Sequence, residues 1–306
     1  MRYKTMSLPS WIKKKAPRQK LMQEMRDLLR SYSLHTVCEE AGCPNIGECF
    51  EQRTATFLIL GDRCTRSCRF CAIKKEVPLP PDAKEPKNVA RAVKKLELRY
   101  VVITSVTRDD LADGGAGQFA QIIKEIRKIN GQGIKIEVLI PDFKGCFSSL
   151  ERVVEERPDV LNHNLETVPR LYSKVRPQAN YSRSLKLLEQ SKELDPSIYT
   201  KSGLMVGLGE SFEDVIGVMK DLRRVDCDIL TIGQYLRPSE KHLEVKEFIP
   251  PEKFKEYEKI GQSLGFFYIA SSPFVRSSYQ ARQAFESSLG KRFKFLKIGC
   301  KKDEAG

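Results

Sequence analysis

Short apolar runs alternate with longer amphipathic stretches from Thr54 onward. The runs have the length and the β-branched content of buried strands, and the stretches between them repeat apolar residues every three or four positions, as helices do. Strands are predicted at Thr56–Leu60, Tyr100–Thr104, Ile134–Ile140, Val160–Leu165, Tyr199–Val206 and Asp228–Ile232. Helices are predicted at Val89–Leu96, Phe119–Ile129, Ser148–Glu156, Ser182–Leu194, Phe212–Arg224 and Pro251–Leu264, with a further strand-like run at Phe266–Ala270. The alternation predicts an α/β fold with a parallel sheet and right-handed crossovers.

The number of repeating units sets the size of this sheet. Six strand–helix units of 30 to 40 residues favour a partial (β/α)6 TIM-like barrel over a complete eight-fold barrel. A helical pattern at Gln19–Leu34 precedes the units, and no shift in composition divides them. We therefore expect three parts: an N-terminal extension (1–53), the barrel (54–270) and a C-terminal extension (271–306).

Composition narrows the class of protein. The chain has 306 residues, is 41% hydrophobic and contains nine cysteines. Clustered cysteines without a secretory signal are more typical of metal binding in a reducing compartment than of disulfides. No apolar run approaches the 18 residues of a membrane span. The prediction is a cytoplasmic protein without a membrane span.

The net charge of +13 is concentrated at the two ends of the chain. Residues 1–30 hold nine basic and two acidic side chains, and residues 291–306 hold six and two. A nucleic-acid-binding face would distribute its charge over the folded body. We therefore expect no nucleic-acid partner and interpret the basic ends as solvated or as contacts for an acidic protein.

Six of the cysteines lie within 34 residues, in two groups of three. The first triplet is Cys38, Cys43 and Cys49, and the second triplet is Cys64, Cys68 and Cys71. Each triplet lacks one of the four ligands that zinc or an iron–sulfur cube usually takes. A metal with an open position can bind a reactant, so the spacing indicates a reactive centre.

The second triplet directly follows the first predicted barrel strand. This is the carboxyl end of the strand, where α/β barrels place their chemistry. A zinc site is the alternative, but no fourth Cys or His lies between Cys71 and Cys146. The C-x3-C-x2-C loop, with Phe70 before its last cysteine, resembles the radical S-adenosylmethionine superfamily. The resemblance implies a 4Fe–4S cluster with one iron open to S-adenosylmethionine.

Polar and glycine-rich segments at the ends of later strands suit a nucleoside-bearing ligand. Glycines let backbone approach a ligand closely, and His163 lies among polar neighbours after the fourth strand. By the resemblance, the candidate contacts to S-adenosylmethionine are Phe70, Asp113, Gly114, Gly115, Asn162, Asn164, Glu166, Gly207 and Gly209.

The first triplet makes the resemblance more specific. Its C-x4-C-x5-C spacing, the segment Leu8–Trp11 and the run Arg276-Ser277-Ser278-Tyr279 resemble the lipoyl synthase family over nearly the whole chain. The resemblance implies that the first triplet holds an auxiliary 4Fe–4S cluster. Its fourth ligand is then a serine, Ser278 or, failing that, Ser277. Gln280 stands where the family pattern has His.

The family's reaction is then the expected one. The resemblance implies insertion of two sulfur atoms at carbons 6 and 8 of an octanoyl chain on a carrier lysine, with the auxiliary cluster as sulfur donor. The implied cofactors are two 4Fe–4S clusters and two S-adenosylmethionine molecules per turnover. The implied partners are the E2 subunits of 2-oxoacid dehydrogenases, the glycine cleavage H protein, ferredoxin or flavodoxin, and iron–sulfur cluster carriers.

Two alternatives are weighed against this interpretation. One is an RNA methylthiotransferase with two clusters, but no RNA-binding extension follows the barrel. The other is a zinc module without enzymatic activity. The other cysteines and histidines lack ligand spacing, and single cations such as Arg66 and Arg276 are expected to be structural more often than functional. Those without ligand spacing are Cys146, Cys227, Cys300, His35 and His242.

Overall fold

A single sheet organises the computed structural model, which describes residues 8–13, 19–52 and 54–299. Its eight strands in these residues are β1 (His35–Thr36), β2 (Thr56–Ile59), β3 (Tyr100–Ser105), β4 (Lys135–Leu139), β5 (Val160–Asn162), β6 (Tyr199–Val206), β7 (Ile229–Gln234) and β8 (Tyr268–Ser271). Their order in space follows the chain. β1 is antiparallel to β2, and every later pair is parallel.

Helices connect the parallel strands, as the sequence pattern predicts. They are α1 (Gln19–Ser31), α2 (Val37–Glu40), α3 (Ile46–Glu51), α4 (Glu85–Lys95), α5 (Ala116–Asn130), α6 (Phe147–Val154), α7 (Tyr172–Val175), α8 (Tyr181–Leu194), α9 (Phe212–Arg224), α10 (Pro251–Ser263) and α11 (Ala281–Gly299). Several begin at side-chain caps. At α9, Ser211 and Asp214 exchange hydrogen bonds with each other's backbone N–H, an arrangement worth about 1 kcal/mol.

The predicted fold class is confirmed. The six predicted barrel strands are present, and β8 adds a seventh parallel strand at the position of the apolar run 266–270. Strand pairing among the described residues does not close the sheet into a complete barrel. β5 is shorter than predicted because the chain leaves the ladder after Asn162 and returns only as a bridge between Glu166 and Leu204.

The sheet is buried on both faces. All consecutive residues of β7, from Ile229 to Gln234, are buried, although successive side chains of a strand point to opposite faces. Helices on the outer face and side chains within the barrel therefore cover the strands, which explains why their sequences are continuously apolar rather than alternating. None of the helices in the described part of the chain has both the length and the apolar character needed to cross a bilayer.

The N-terminal segment packs against the edge of this sheet. Met22, Met25 and Leu29 of α1 enter the same core as the barrel residues. α1 ends at Ser31, before the predicted Leu34, because Ser33 adopts a left-handed conformation (φ 53°) that no helix continues. β1 then pairs with β2 and places the first triplet beside the barrel.

The helix α11 covers the amino ends of the parallel strands. The Phe285 ring lies 5.8 Å from that of Tyr100 and 5.4 Å from that of Tyr199, both at the amino ends of their strands. Burial of these aromatic rings anchors α11 there. The carboxyl ends of the strands remain available for a functional site.

Candidate functional site

The second triplet lies in the loop that follows β2. Thr65 ties this loop to the end of β3, since its N–H and its hydroxyl both donate to the Thr107 carbonyl (3.1 and 2.9 Å). The Arg69 N–H donates to the Val175 carbonyl at 2.9 Å. The loop is therefore held from two sides at the carboxyl edge of the sheet.

Backbone donors are aimed at the first sulfur of this triplet. The N–H groups of Arg66 and Thr107 lie 3.4 and 3.3 Å from Cys64 Sγ. Such donors stabilise a thiolate and tune a cluster that it binds. Burial raises the pKa of Cys71 to about 12 and raises that of Cys68 in the same direction. These thiols must lose their protons to bind a metal, whose positive charge offsets the cost of burying thiolates.

Arg66 forms a buried ion-pair network behind the loop. Its guanidinium donates to both oxygens of Asp109 (2.7 and 3.0 Å) and to Asp142 at 2.6 Å. The Arg66 side chain is only 4% exposed. Loss of one partner from a buried pair costs about 3–5 kcal/mol, so Arg66 has a structural role in holding the loop.

Both triplets border one cavity of about 500 Å³, which we call the inner cavity. Cys64, Cys68 and Cys71 lie on one side of its lining, and Cys38 and Cys43 also contribute. Aliphatic side chains complete much of the remaining wall: Leu58, Ile73, Val106, Leu139, Ile140 and Leu204. The volume suits a small-molecule ligand together with an alkyl chain.

Two short helices position the first triplet. Cys38 lies in α2. Thr36 caps the start of this helix, and its hydroxyl accepts the Glu39 N–H at 3.3 Å. Cys49 lies in α3, and the Cys43 N–H between them donates to the Cys38 carbonyl at 3.1 Å. Burial raises the pKa of Cys38 to about 12, so this thiol too is protonated until a metal displaces the proton.

The Arg276–Tyr279 segment is joined to the first triplet by long-range hydrogen bonds. Asn45 Nδ2 donates to the Phe274 carbonyl, and the Tyr279 hydroxyl donates to Glu48, each at 2.8 Å. Ser278 lines the inner cavity together with Cys38 and Cys43. The first triplet and the Arg276–Tyr279 segment thus meet, although more than 200 residues separate them in the chain.

The two serines of this segment have different surroundings. Ser277 Oγ accepts a hydrogen bond from Asn164 Nδ2 at 3.2 Å. Ser278 also lines a second cavity, of about 640 Å³, which contains all three cysteines of the first triplet. We call this second space the side cavity. Ser278 is therefore the serine that shares both of its cavities with the first triplet.

The structure separates the nine predicted S-adenosylmethionine contacts into two groups. Phe70, Asn164 and Glu166 line the inner cavity. Asn164 Oδ1 is buried and has no hydrogen-bond partner among the described residues. The other six are not among the lining residues: Asp113, Gly114, Gly115, Asn162, Gly207 and Gly209.

Local interactions explain the positions of several in this second group. The Asp113 carboxylate accepts the N–H groups of Gly115 and Gly117 (2.9 and 2.8 Å) at the start of α5. Gly115 has φ 91°, and a Cβ there would overlap the Leu60 side chain, so the turn requires glycine. Asn162 points to Glu137 within the barrel (3.1 Å). Their contact with a ligand stays a prediction.

Sequence reasoning did not select Arg176, a residue of the cavity wall, although it did place the neighbouring wall residue His163 among the polar groups at the end of the fourth strand. Arg176 is partly buried and donates to the Asn164 and Leu165 carbonyls at 2.8 and 3.1 Å. His163 is held between the Ile140 carbonyl and Ser184 at 2.9 Å each, and burial lowers its pKa to about 4. Arg176 belongs to no motif in the sequence. His163 stood among polar neighbours, which was the available signal.

The remaining cysteines and histidines are dispersed. Cys146 is exposed and Cys227 is buried, whereas Cys300 lies outside the described residues. His242 Nε2 lies 3.1 Å from the Cys71 carbonyl. In the described ranges, no group of three or more His, Cys, Asp or Glu side chains converges on a single metal-ion position. The ligands of an iron–sulfur cube bind different irons and need not converge on one point.

Comparisons with known proteins give a consistent set of relatives. A family model described as the radical SAM superfamily matches residues 58–222, and one described as the N-terminal domain of lipoyl synthase matches residues 2–43. The lipoyl synthase of Caldanaerobacter subterraneus is 58% identical over 277 residues, which cover 90% of this chain and 96% of the relative. That of Caldicellulosiruptor saccharolyticus is 56% identical with the same coverage, and that of Alkaliphilus metalliredigens is 53% identical over 91% and 96%.

Solved structures resemble the chain in fold. HydG, a hydrogenase maturase, superposes with a TM-score of 0.57 at 13% identity over 90% of this chain and 61% of its own. SuiB of Streptococcus suis gives a TM-score of 0.53 at 15% identity over 74% of this chain and 52% of its own. The chain thus spans roughly half to three fifths of these structures, and at this low identity the likeness concerns the fold alone.

Proposed function

Since the chain belongs to the lipoyl synthase family of radical S-adenosylmethionine enzymes, we propose how its two cysteine triplets divide the family's reaction between them. The reaction inserts two sulfur atoms at carbons 6 and 8 of an octanoyl chain attached to a carrier protein. The family implies one 4Fe–4S cluster and S-adenosylmethionine. The observation that carries the proposal is that both triplets border the inner cavity.

In this proposal the second triplet holds the radical-generating cluster. Three thiols leave one iron without a protein ligand, and the Cys64 sulfur already receives two backbone N–H groups. Phe70, Asn164 and Glu166 would bind and orient S-adenosylmethionine because they line the same cavity. Asn164 Oδ1, which lacks a hydrogen-bond partner among the described residues, would accept from the amino group of this ligand once the side chain turns toward the cavity. We carry forward the other six predicted contacts as part of this proposal.

The first triplet and Ser278 would hold the auxiliary cluster. Ser278 lines both cavities that contain Cys38 and Cys43, which supports it over Ser277 as the fourth ligand. An alkoxide matches iron in a sulfide cube less well than a thiolate does. The serine would therefore release its iron more readily, as suits a cluster that donates sulfur.

When bound, the radical-generating cluster together with S-adenosylmethionine would supply a carbon radical that removes hydrogen from an unactivated C–H bond. The auxiliary cluster would supply the sulfide that takes the place of that hydrogen. The chain's own contribution is position and exclusion of water. Leu58, Val106 and Ile140 provide an apolar wall against which an alkyl chain packs between the two triplets. Arg176 holds the backbone at Asn164 and Leu165 in place behind the ligand.

The proposal extends to the three-part division of the chain and to its partners. The match of separate family models to residues 2–43 and 58–222 supports an N-terminal extension (1–53) distinct from the barrel (54–270), with the C-terminal extension (271–306) supplying Ser278.

The substrate class is an octanoylated carrier protein. Within it we propose 2-oxoacid dehydrogenase E2 subunits and the glycine cleavage H protein, with ferredoxin or flavodoxin as reductant, cluster carriers for repair, and a cytoplasmic location.

The decisive experiment is mass spectrometry of an octanoylated carrier peptide after anaerobic incubation with S-adenosylmethionine and reductant. The wild-type chain should bind about eight irons, as two four-iron clusters require, and should add two sulfurs to the peptide. Cys68→Ala should form no 5′-deoxyadenosine. Cys43→Ala should still form some 5′-deoxyadenosine but no lipoyl peptide. Lipoyl product from Cys43→Ala would contradict the donor role, and stoichiometric zinc would contradict both clusters.

A further inference from the structure

The first triplet lies between two cavities rather than at the end of one. Cys38, Cys43, Arg276 and Ser278 border both the inner cavity and the side cavity. Cys49 lines the side cavity only. The triplet with Arg276 and Ser278 therefore forms a partition that can be approached from either side.

The side cavity leads away from the second triplet. None of Cys64, Cys68 and Cys71 is among its lining residues. Apart from the partition, its walls come mainly from three segments: residues 52 and 54–56 before and in β2, residues 96–100 and 102 before and at the start of β3, and the first turns of α11. Its volume of about 640 Å³ far exceeds the space that a single water or ion needs.

Exposed polar side chains border the side cavity. Gln52, Thr54 and Gln283 are exposed. Arg282 and Glu286 form an exposed ion pair at 2.8 Å across one turn of α11. The cavity is therefore accessible from solvent along the α11 side, with groups of both charges near its entrance.

We propose that the side cavity is the route by which iron and sulfide reach the first triplet when its cluster is renewed. This inference rests on the proposed function, in which the first triplet gives up sulfur at each turnover. A bound octanoyl chain and S-adenosylmethionine would fill the inner cavity and cover that side of the triplet. The side cavity then provides access that does not pass through the substrate. Transfer of an intact 4Fe–4S cluster from a carrier needs only exchange of the carrier's thiolates for those of the first triplet, with no change in oxidation state. Assembly in place balances when two ferrous and two ferric ions combine with four sulfides.

Gln283→Trp tests the route because Gln283 is exposed and lines the side cavity. Gln283 is not a proposed ligand of either cluster. Ser287→Trp is the matched control, since Ser287 is exposed one turn later on α11 and is not among the lining residues. Each substitution is combined with Cys64→Ala, Cys68→Ala and Cys71→Ala, so that the first triplet alone binds a cluster. Circular dichroism and the melting temperature establish that each variant folds.

Loading of the first triplet is followed by Mössbauer spectroscopy with iron-57, with octanoylated peptide present to occupy the inner cavity. One arm supplies ferrous and ferric iron in equal amounts with sulfide, and the other supplies a carrier protein that holds an intact 4Fe–4S cluster. Gln283→Trp should slow loading several-fold in at least one arm relative to Ser287→Trp, and the arm that slows identifies the source. If Gln283→Trp and Ser287→Trp load iron at the same rate in each arm, the side cavity is not the route, and the proposed function is unaffected. Failure of the Ser287→Trp control to bind any iron would overturn both.

Discussion

Asn164 donates a hydrogen bond to Ser277 Oγ at 3.2 Å and so joins the end of β5 to a segment 113 residues later. The same amide nitrogen also donates to Glu166 at 3.0 Å. One side chain therefore connects the proposed S-adenosylmethionine contacts with the segment that carries Ser278. In this arrangement the Ser277 hydroxyl holds the segment against Asn164, and Ser278 is the proposed iron ligand.

Serine substitutions distinguish these two roles. Ser278→Ala should lower the iron content by about one atom per chain, because a four-iron cube that loses one ligand tends to lose that iron. Ser277→Ala should retain the full iron content, since the three cysteines and Ser278 remain. Iron analysis and Mössbauer spectroscopy of anaerobically loaded protein make the comparison. Equal iron loss in the two variants would remove the distinction.

Gly203 lies where the neighbouring side chains leave no room for a Cβ atom. A Cβ at residue 203 would lie 2.8 Å from both Asn164 Oδ1 and Thr231 Oγ1. Gly203→Ala should therefore destabilise the protein by about 1–3 kcal/mol, as overpacking does, and displace Asn164. Denaturant unfolding and the yield of 5′-deoxyadenosine measure the two effects.

Gly217→Ala provides the control for this substitution. Gly217 lies on α9, and a Cβ there meets no atom within 4 Å. This change should stabilise the helix by about 0.5–1 kcal/mol and leave 5′-deoxyadenosine formation unchanged. If Gly203→Ala matches Gly217→Ala in both measurements, the Asn164 position does not depend on Gly203.

The sequence was most informative where a pattern is local. Apolar periodicity placed the parallel strands because a buried strand must be apolar along its length. The cysteine spacing predicted two ligand sets because the ligands of one cluster are often close in the chain, and the structure places five of the six cysteines on one cavity. The resemblance also supplied Ser278, which no local pattern would have connected to Cys38.

The details that could not be predicted depend on contacts between distant residues. Asn162 and Asn164 are two positions apart and appear equivalent in the sequence, but the strand ends between them. Asn162 therefore faces Glu137 inside the barrel, while Asn164 lines the inner cavity. Arg176 likewise has no local signal, because its role arises from carbonyl groups that the chain brings to it only on folding.

The buried His163 gives the protein a specific sensitivity to acid. The Ile140 carbonyl can only accept, so Nδ1 carries the proton and Nε2 accepts from Ser184. Burial lowers the pKa from 6.5 to about 4, with the Arg176 charge acting in the same direction and the Asp142 carboxylate opposing it. The unfolded chain therefore binds a proton at His163 at a higher pH than the folded protein does.

The sign of the effect follows from that difference. The neutral His163 ring contributes fully to the free energy of unfolding above about pH 6.5. As the pH falls toward 4, the free energy of unfolding decreases by about 3 kcal/mol in total, because only the unfolded chain binds the proton. Urea unfolding of the metal-free protein between pH 7 and 4 should show the loss. His163→Gln should be less stable at pH 7 but should lack this component of the slope. An unchanged slope in His163→Gln would assign the acid sensitivity to other groups.

The ion pair between Lys201 and Glu137 tests how the barrel interior is stabilised. Lys201 Nζ lies 2.8 Å from Glu137 Oε1, and both side chains are 1% exposed. Tyr100 and Asn162 also donate to this carboxylate at 2.6 and 3.1 Å. The network links β3, β4, β5 and β6 through one charged group that no water reaches.

Lys201→Met should destabilise the protein by about 3–5 kcal/mol, because it leaves the Glu137 charge buried without its partner. Adding Glu137→Gln should restore much of that loss, since the neutral amide no longer needs a cation and still accepts from Tyr100. Equilibrium unfolding of the two single variants and the double variant gives the coupling energy between the two sites. Additive losses in the double variant would mean that the two side chains stabilise the barrel independently, through packing and the hydrogen bonds from Tyr100 and Asn162 alone. A double variant more stable than Lys201→Met would instead identify the unpaired charge as the source of the loss.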